Sequence, residues 1–147
     1  MHVDEIMHAV GLLQQGDRDA ARTELLQLWQ AWSVRDATRE RCTLAHFLAD
    51  TEEDAAAELE WDLCALEAAT GSKGEEDQDA VDQSLDNFLP SLHLNVGDAY
   101  RRAGQPQCAR RHAEIGLARA ETLGEDGYSQ MVRTGLERLR SRLENCT

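Results

Sequence analysis

Apolar residues recur at steps of three and four through most of this 147-residue chain, the period of helices that bury one face. Val3, Ile6, Val10 and Leu13 form a first series, Gly16-Asp17 interrupts it, and Ala20, Ala21, Leu25, Leu28, Trp29 and Trp32 resume it. The break predicts a first helical hairpin over about 2–33. Asp17 is expected to cap its second helix, because a carboxylate there accepts from backbone N–H groups that the first turn leaves unpaired. Ser33 to Asp36 reads as the exit turn.

A third helix is expected from about Ala37 to Asp50 on Cys42, Leu44, Ala45, Phe47 and Leu48. A fourth runs to about Thr70 on Leu59, Leu63 and Leu66, with Trp61 and Cys64 beside them, and the two make a second hairpin over about 37–70. Between them Thr51-Glu52-Glu53-Asp54 is a capping sequence whose acids suit the positive start of a helix. Gly71-Ser72-Lys73-Gly74-Glu75-Glu76-Asp77 reads as a flexible acidic linker over about 71–78, where glycines and like charges disfavour compaction.

Beyond it, Val81, Leu85, Phe88, Leu89, Leu92, Val96 and Tyr100 keep the helical step across Pro90. That predicts one long fifth helix, or two collinear pieces bent where the proline removes a hydrogen bond. A sixth helix follows Arg102-Ala103-Gly104-Gln105-Pro106 and ends near Leu123-Gly124, completing a third hairpin over about 79–123. Tyr128, Met131, Val132, Leu136, Leu139 and Leu143 mark a seventh over about 126–145, with Arg133, Arg138, Arg140 and Arg142 largely on its outside.

Composition strengthens the helical reading. Strong helix formers dominate and proline is confined to Pro90 and Pro106, so the chain is expected to be all-α, one domain over 1–147 with about seven helices. Charge narrows the partners. The net charge is -13, and it is uneven: residues 1–90 hold 21 acids against 6 bases, residues 91–147 hold 7 against 9. An acidic body repels phosphate backbones and anionic membrane surfaces, which argues against nucleic-acid and membrane partners. Cys42, Cys64, Cys108 and Cys146 are far apart and form no C-x-x-C pair, the start of the chain has no basic n-region, and no apolar run is long enough to span a bilayer. A cytoplasmic location with reduced thiols is the expectation.

One spacing occurs three times. From Gly97, Tyr100 lies 3 residues on, Ala109 12, Ala113 16 and Gly116 19. Ala45 stands in the same relation to Leu48, Ala57, Trp61 and Cys64, and Ala9 to Leu12, Ala21, Leu25 and Leu28. Small residues suit positions where two helices cross closely, and larger ones fill the spaces between hairpins. The pattern resembles the tetratricopeptide repeat family, best in Val96-Gly97-x-x-Tyr100 with Ala109, although Glu5, Arg41 and His93 stand where the family carries an early tryptophan. The first two anchors are 36 residues apart and the next two 52, against a family period of about 34, so an insertion separates the second and third units. The resemblance implies a right-handed α-α superhelix of three hairpins with the last helix as a cap. An unrelated helical bundle with alanine-rich packing is the alternative architecture.

The resemblance also implies a site. In that family the first helix of each hairpin lines a concave groove that binds peptides. Carried over by spacing, the third unit would show Ser91, Leu94, Asn95, Asp98, Arg101 and Arg102, and the second Arg39, Cys42, Thr43, His46 and Asp50. The first would show Val3, Ile6, Met7, Val10 and Leu13 as an apolar end, unless that stripe packs on the neighbouring hairpin or forms a homodimer seam.

Asn95 matches a position at which some members hydrogen-bond a peptide, but Met7 and Thr43 occupy the equivalent places in the other units. The expected function is that of a non-enzymatic adaptor for a protein or peptide partner, with no cofactor and no metal. A homo-oligomeric structural module is the alternative, including head-to-tail pairing of the acidic body with the Arg-bearing last helix. A metal- or thiol-dependent site at Cys42, His46 and Asp50, with His93 as a further ligand, is the weakest reading, because no loop motif accompanies those residues.

Overall fold

The computed structural model describes residues 2–31, 38–70 and 87–145, with the side chains of His2, Val3 and Thr38 outside that description. Seven helices and no strand occupy these residues: α1 (His2–Gln14), α2 (Arg18–Ala31), α3 (Thr38–Asp50), α4 (Ala55–Thr70), α5 (Leu89–Arg102), α6 (Pro106–Ala120) and α7 (Gly127–Glu144). None of the described helices is long and apolar enough to cross a membrane. Trp32, the exit turn expected at Ser33 to Asp36, the linker expected over 71–78 and the Val81–Leu85 part of the long fifth helix lie outside the described residues.

The caps follow from the sequence. Asp17 Oδ1 accepts from the amide of Ala20 at 3.4 Å, Asp54 Oδ2 from that of Ala57 at 3.1 Å, and Asp126 Oδ1 from that of Ser129 at 2.7 Å. Each satisfies an N–H that the helix cannot pair internally. Two helices end alike. Gly16 and Gly104 adopt positive φ (87° and 82°), and the amides after them, Asp17 and Gln105, each donate back to a carbonyl of the last turn, Leu12 and Tyr100, at 2.9 Å. A β-carbon is disfavoured in that left-handed conformation, so glycine stands there.

Pro90 decides between the two expectations for the fifth helix. It stands in the first turn of α5, which starts at Leu89, so one unbroken helix through the proline is not formed, and most of the piece expected before it lies outside the described residues. At a helix start the missing N–H had no intrahelical partner to lose, and the fixed φ suits the helix.

Consecutive helices pack as pairs, α1 on α2, α3 on α4 and α5 on α6. The pairs are joined through α2–α3 and α4–α5, and α7 lies against both α5 and α6. Small residues set the closest approach. A β-carbon on Gly97 would come within 3.3 Å of the Ala109 carbonyl of α6, and one on Gly116 within 3.2 Å of His93 Cβ of α5. The first contact is with backbone and cannot yield by a rotamer change. Gly97→Val is therefore expected to lower stability by about 1–3 kcal/mol. Gly11→Ala in α1, where a β-carbon would meet nothing within 4 Å, is expected to gain up to about 1 kcal/mol from helix propensity. Urea unfolding of the two proteins against wild type tests the contrast, and equal signs would refute the close crossing.

Ile6, Ala9, Val10, Leu25, Leu44 and Leu48 form one buried cluster across the first two pairs. Trp29 and Trp61 meet edge to face at 5.2 Å on its flank, with the Arg41 guanidinium 3.7 Å above the Trp29 ring. At the other end the last two helices cap each other. Arg133 of α7 donates to the carbonyls of Ala120, Leu123 and Gly124 beyond α6, and Arg110 of α6 donates to Leu143 O near the end of α7. Arg133 is thus partly buried and not outward-facing as its spacing suggested. Its guanidinium satisfies carbonyls that the end of α6 leaves unpaired.

Candidate functional site

A groove of about 1040 Å³ lies between α3, α5 and α7. One wall is polar, with Arg39, Thr43 and His46 on α3 and Ser91 and Asn95 on α5. The Asn95 amide nitrogen donates to His46 Nδ1 at 3.3 Å, which ties the two helices together across the floor. Large apolar groups line the groove as well, among them Phe88 at the start of α5 and Tyr128 and Met131 in the first turns of α7. These side chains are 48%, 41% and 64% exposed. Exposure of that size on large apolar groups is unfavourable in isolation, and its concentration in one hollow marks a contact surface.

The structure divides the expected groove residues. Arg39, Cys42, Thr43, His46, Ser91, Leu94 and Asn95 do line it. Asp50, Asp98 and Arg102 line an adjoining hollow, and Arg101 lines neither, donating instead to Asp98 at 2.9 and 3.0 Å. The expected apolar end is divided too. Ile6 and Val10 are buried in the core against Leu25 and Leu48, Leu13 is half-buried, and Met7 is exposed but lines no part of the groove. The side chain of Val3 lies outside the described residues. The stripe of α1 is spent on the second hairpin, because a helix has one apolar face and the hairpin contact takes it first.

Phe88, Tyr128, Met131 and Arg138 were missed. The last three belong to a stripe, Tyr128, Met131, Gly135 and Arg138, beside the buried stripe Val132, Leu136, Leu139 and Leu143. An apolar arc too wide for one contact was the available signal. In α7, taken from its sequence as a cap, the stripe supplies much of the groove.

Cys42, His46 and Asp50 do not make a reactive group. The Cys42 thiol is buried and pushed up to about 11 by desolvation, which keeps it protonated and a poor nucleophile at neutral pH. Among the described residues no three His, Cys, Asp or Glu side chains are placed to hold a metal ion. His93 points the other way, with its Nδ1 3.0 Å from Nδ1 of His112 between α5 and α6. Burial, then the neighbouring His112 and Arg119, push His93 down to about 3, so it is neutral.

The second hollow, about 310 Å³, opens beside the groove and shares Leu94, Asn95, Gly135 and Arg138 with it. Asp62 of α4 lines it. This side chain is only 4% exposed, and its Oδ2 is fully buried without a hydrogen-bond partner. Desolvation first, then repulsion by Glu58 and Asp50, push its carboxyl up to about 8 against the pull of Arg102. Its signal was also in the sequence, an acid three residues after Leu59 and four before Leu66 on an otherwise apolar face. Set beside known protein families, curated proteins and solved structures, the chain matches none of them.

Proposed function

We propose that this protein is a non-enzymatic binding module that holds a segment of a protein partner in the groove between α3, α5 and α7. The observation that carries the reading is the clustering of Phe88, Tyr128 and Met131. Of the four large apolar side chains that are exposed among the described residues, these three line the same hollow, together with hydrogen-bonding groups on α3 and α5. A lining that mixes apolar and hydrogen-bonding groups suits a peptide, whose side chains need burial and whose backbone needs partners.

A tetratricopeptide-like architecture fits the same surface. The anchors Ala9, Ala45 and Gly97 are all buried, and Gly16 and Gly104 make the same turn seven residues after the first and third. In that reading α3 and α5 are the inner helices of the second and third units, and α7 begins a further turn of the superhelix in place of closing it.

The test is selection from a randomised peptide library displayed on phage, using wild type and the triple variant Phe88→Ser, Tyr128→Ser, Met131→Ser. Wild type is expected to enrich peptides carrying an aromatic or aliphatic anchor, and the variant to bind them roughly tenfold more weakly or worse. Folding is expected to change little, because the replaced groups are exposed. Enriched peptides that bind the variant equally well would overturn the reading. Mass in solution, measured on the same two proteins, separates the competitor. A wild-type dimer that the variant dissolves would place a second copy of the chain in the groove.

A further inference from the structure

The hollow beside the groove is lined by Asp50, Glu58, Asp62 and Asp98 together with Arg102, Arg138 and Arg142. Arg102 of α5 donates to both oxygens of Glu58 at 2.7 and 2.8 Å and to Asp98 at 3.0 Å, and Arg101 adds two bonds to Asp98, so those two carboxylates are satisfied. Arg142 of α7 already has a partner. Asp50 of α3 and Asp62 of α4 are left, lining the hollow with no ion pair to a lysine or arginine among the described residues. Asn95 spends its amide nitrogen on His46, which leaves its carbonyl oxygen as an acceptor at the boundary with the groove.

A buried oxygen without a donor is costly, and native proteins keep such groups where something else satisfies them. Asp62 Oδ2 is in that state, on a side chain that lines the hollow.

We infer that this hollow is the specificity subsite of the groove, taking the ammonium or guanidinium of a lysine or arginine in the bound segment against Asp62, with Asp50 and the Asn95 carbonyl as the other acceptors. The inference rests on the groove reading and sharpens it, since it adds a required charge to the apolar anchor. Asp50, Asp62 and the Asn95 carbonyl are the acceptors of the lining that no arginine already occupies, whereas Arg102 is engaged by Glu58 and Asp98 and Arg142 has a partner of its own. Arg138, on the strip common to both cavities and without an ion pair among the described residues, is the one cation that competes. A ligand cation must therefore lie on the Asp62 side, away from α7. The volume exceeds what a guanidinium and a water or two need.

Binding also has a proton signature. A carboxyl that desolvation holds largely protonated at neutral pH ionises when a cation reaches it. Complex formation is thus coupled to proton release from Asp62.

The experiment extends the library selection to Asp62→Asn, which keeps the shape and removes the charge. Wild type is expected to enrich peptides that combine the apolar anchor with Lys or Arg at a fixed spacing. The Asn variant is expected to keep the anchor preference and lose the basic one. Calorimetry with one enriched peptide, in two buffers of different ionisation enthalpy, should show proton release for wild type and none for Asp62→Asn. Arg138→Ala should strengthen the basic preference. Enrichment of apolar peptides with no basic preference, or a preference unchanged in Asp62→Asn, overturns the subsite and leaves the groove standing. Failure to enrich any peptide that the Phe88, Tyr128 and Met131 variant loses overturns the groove reading and the subsite with it.

Discussion

Asp62→Asn is expected to be more stable than wild type at neutral pH, by about 2–4 kcal/mol in denaturant unfolding. In the unfolded chain this carboxyl ionises near its ordinary value of 3.8, whereas in the folded chain it holds its proton up to about 8. Each unit between those values costs about 1.4 kcal/mol, so the full difference approaches about 4 kcal/mol at pH 7. The sign follows from proton counts. Between those limits the folded state binds the extra proton, so the Asp62 contribution is whole below about pH 4 and is lost as pH rises through about 8.

The gap between wild type and the variant should therefore close in acid and widen towards neutrality. His93 acts in the opposite direction. Its depressed value means that the unfolded state takes up the proton first, so its contribution is whole above about 6.5 and is lost as pH falls towards about 3. That term is common to both proteins and cancels in the comparison. A gap that is the same at acid and neutral pH would show that Asp62 is not held neutral by its surroundings. A residue whose removal stabilises the fold is one kept for another reason, as the cation subsite requires.

Leu48→Ala is expected to cost about 3 kcal/mol. Leu48 is fully buried at the seam where Ile6 and Val10 of α1, Leu25 of α2 and Leu44 of α3 converge. Truncation removes its transfer energy and leaves a cavity that the surrounding helical backbones cannot collapse to fill. Ile6→Ala should show a cost of the same order. Met7→Ala on the same helix, with a side chain 59% exposed, should stay within about 0.5 kcal/mol of wild type. Guanidinium unfolding of the three proteins measures the set. If Ile6→Ala were as neutral as Met7→Ala, the stripe on α1 would be a surface after all, and the apolar end of the groove would return to the first hairpin.

The helices were legible because each is a local event. Apolar steps of three and four, an Asp at three of the starts and a glycine after two of the ends are enough to place α1, α2, α6 and α7 to within a few residues. Arg39, Thr43, His46 and Asn95, which the resemblance to tetratricopeptide repeats implied on the inner helices of its hairpins, do line the groove. At Pro90 the sequence left two readings open, an unbroken helix or a break, because the apolar step runs through it and periodicity does not register where a helix begins.

What the sequence by itself determined is therefore the set of helices, their pairing, and which side of α3 and α5 is polar, all properties fixed within one hairpin. What only the tertiary structure decided is which of two apolar stripes a helix gives to its neighbours. On α1 the stripe with Ile6 and Val10 went to the core, and on α7 the stripe with Tyr128 and Met131 was left exposed in the groove. It decided as well that Asp62, an acid on an apolar face, meets a cavity in place of a counter-ion. Burial of a stripe depends on what other helices bring to it, and no spacing within one helix carries that information.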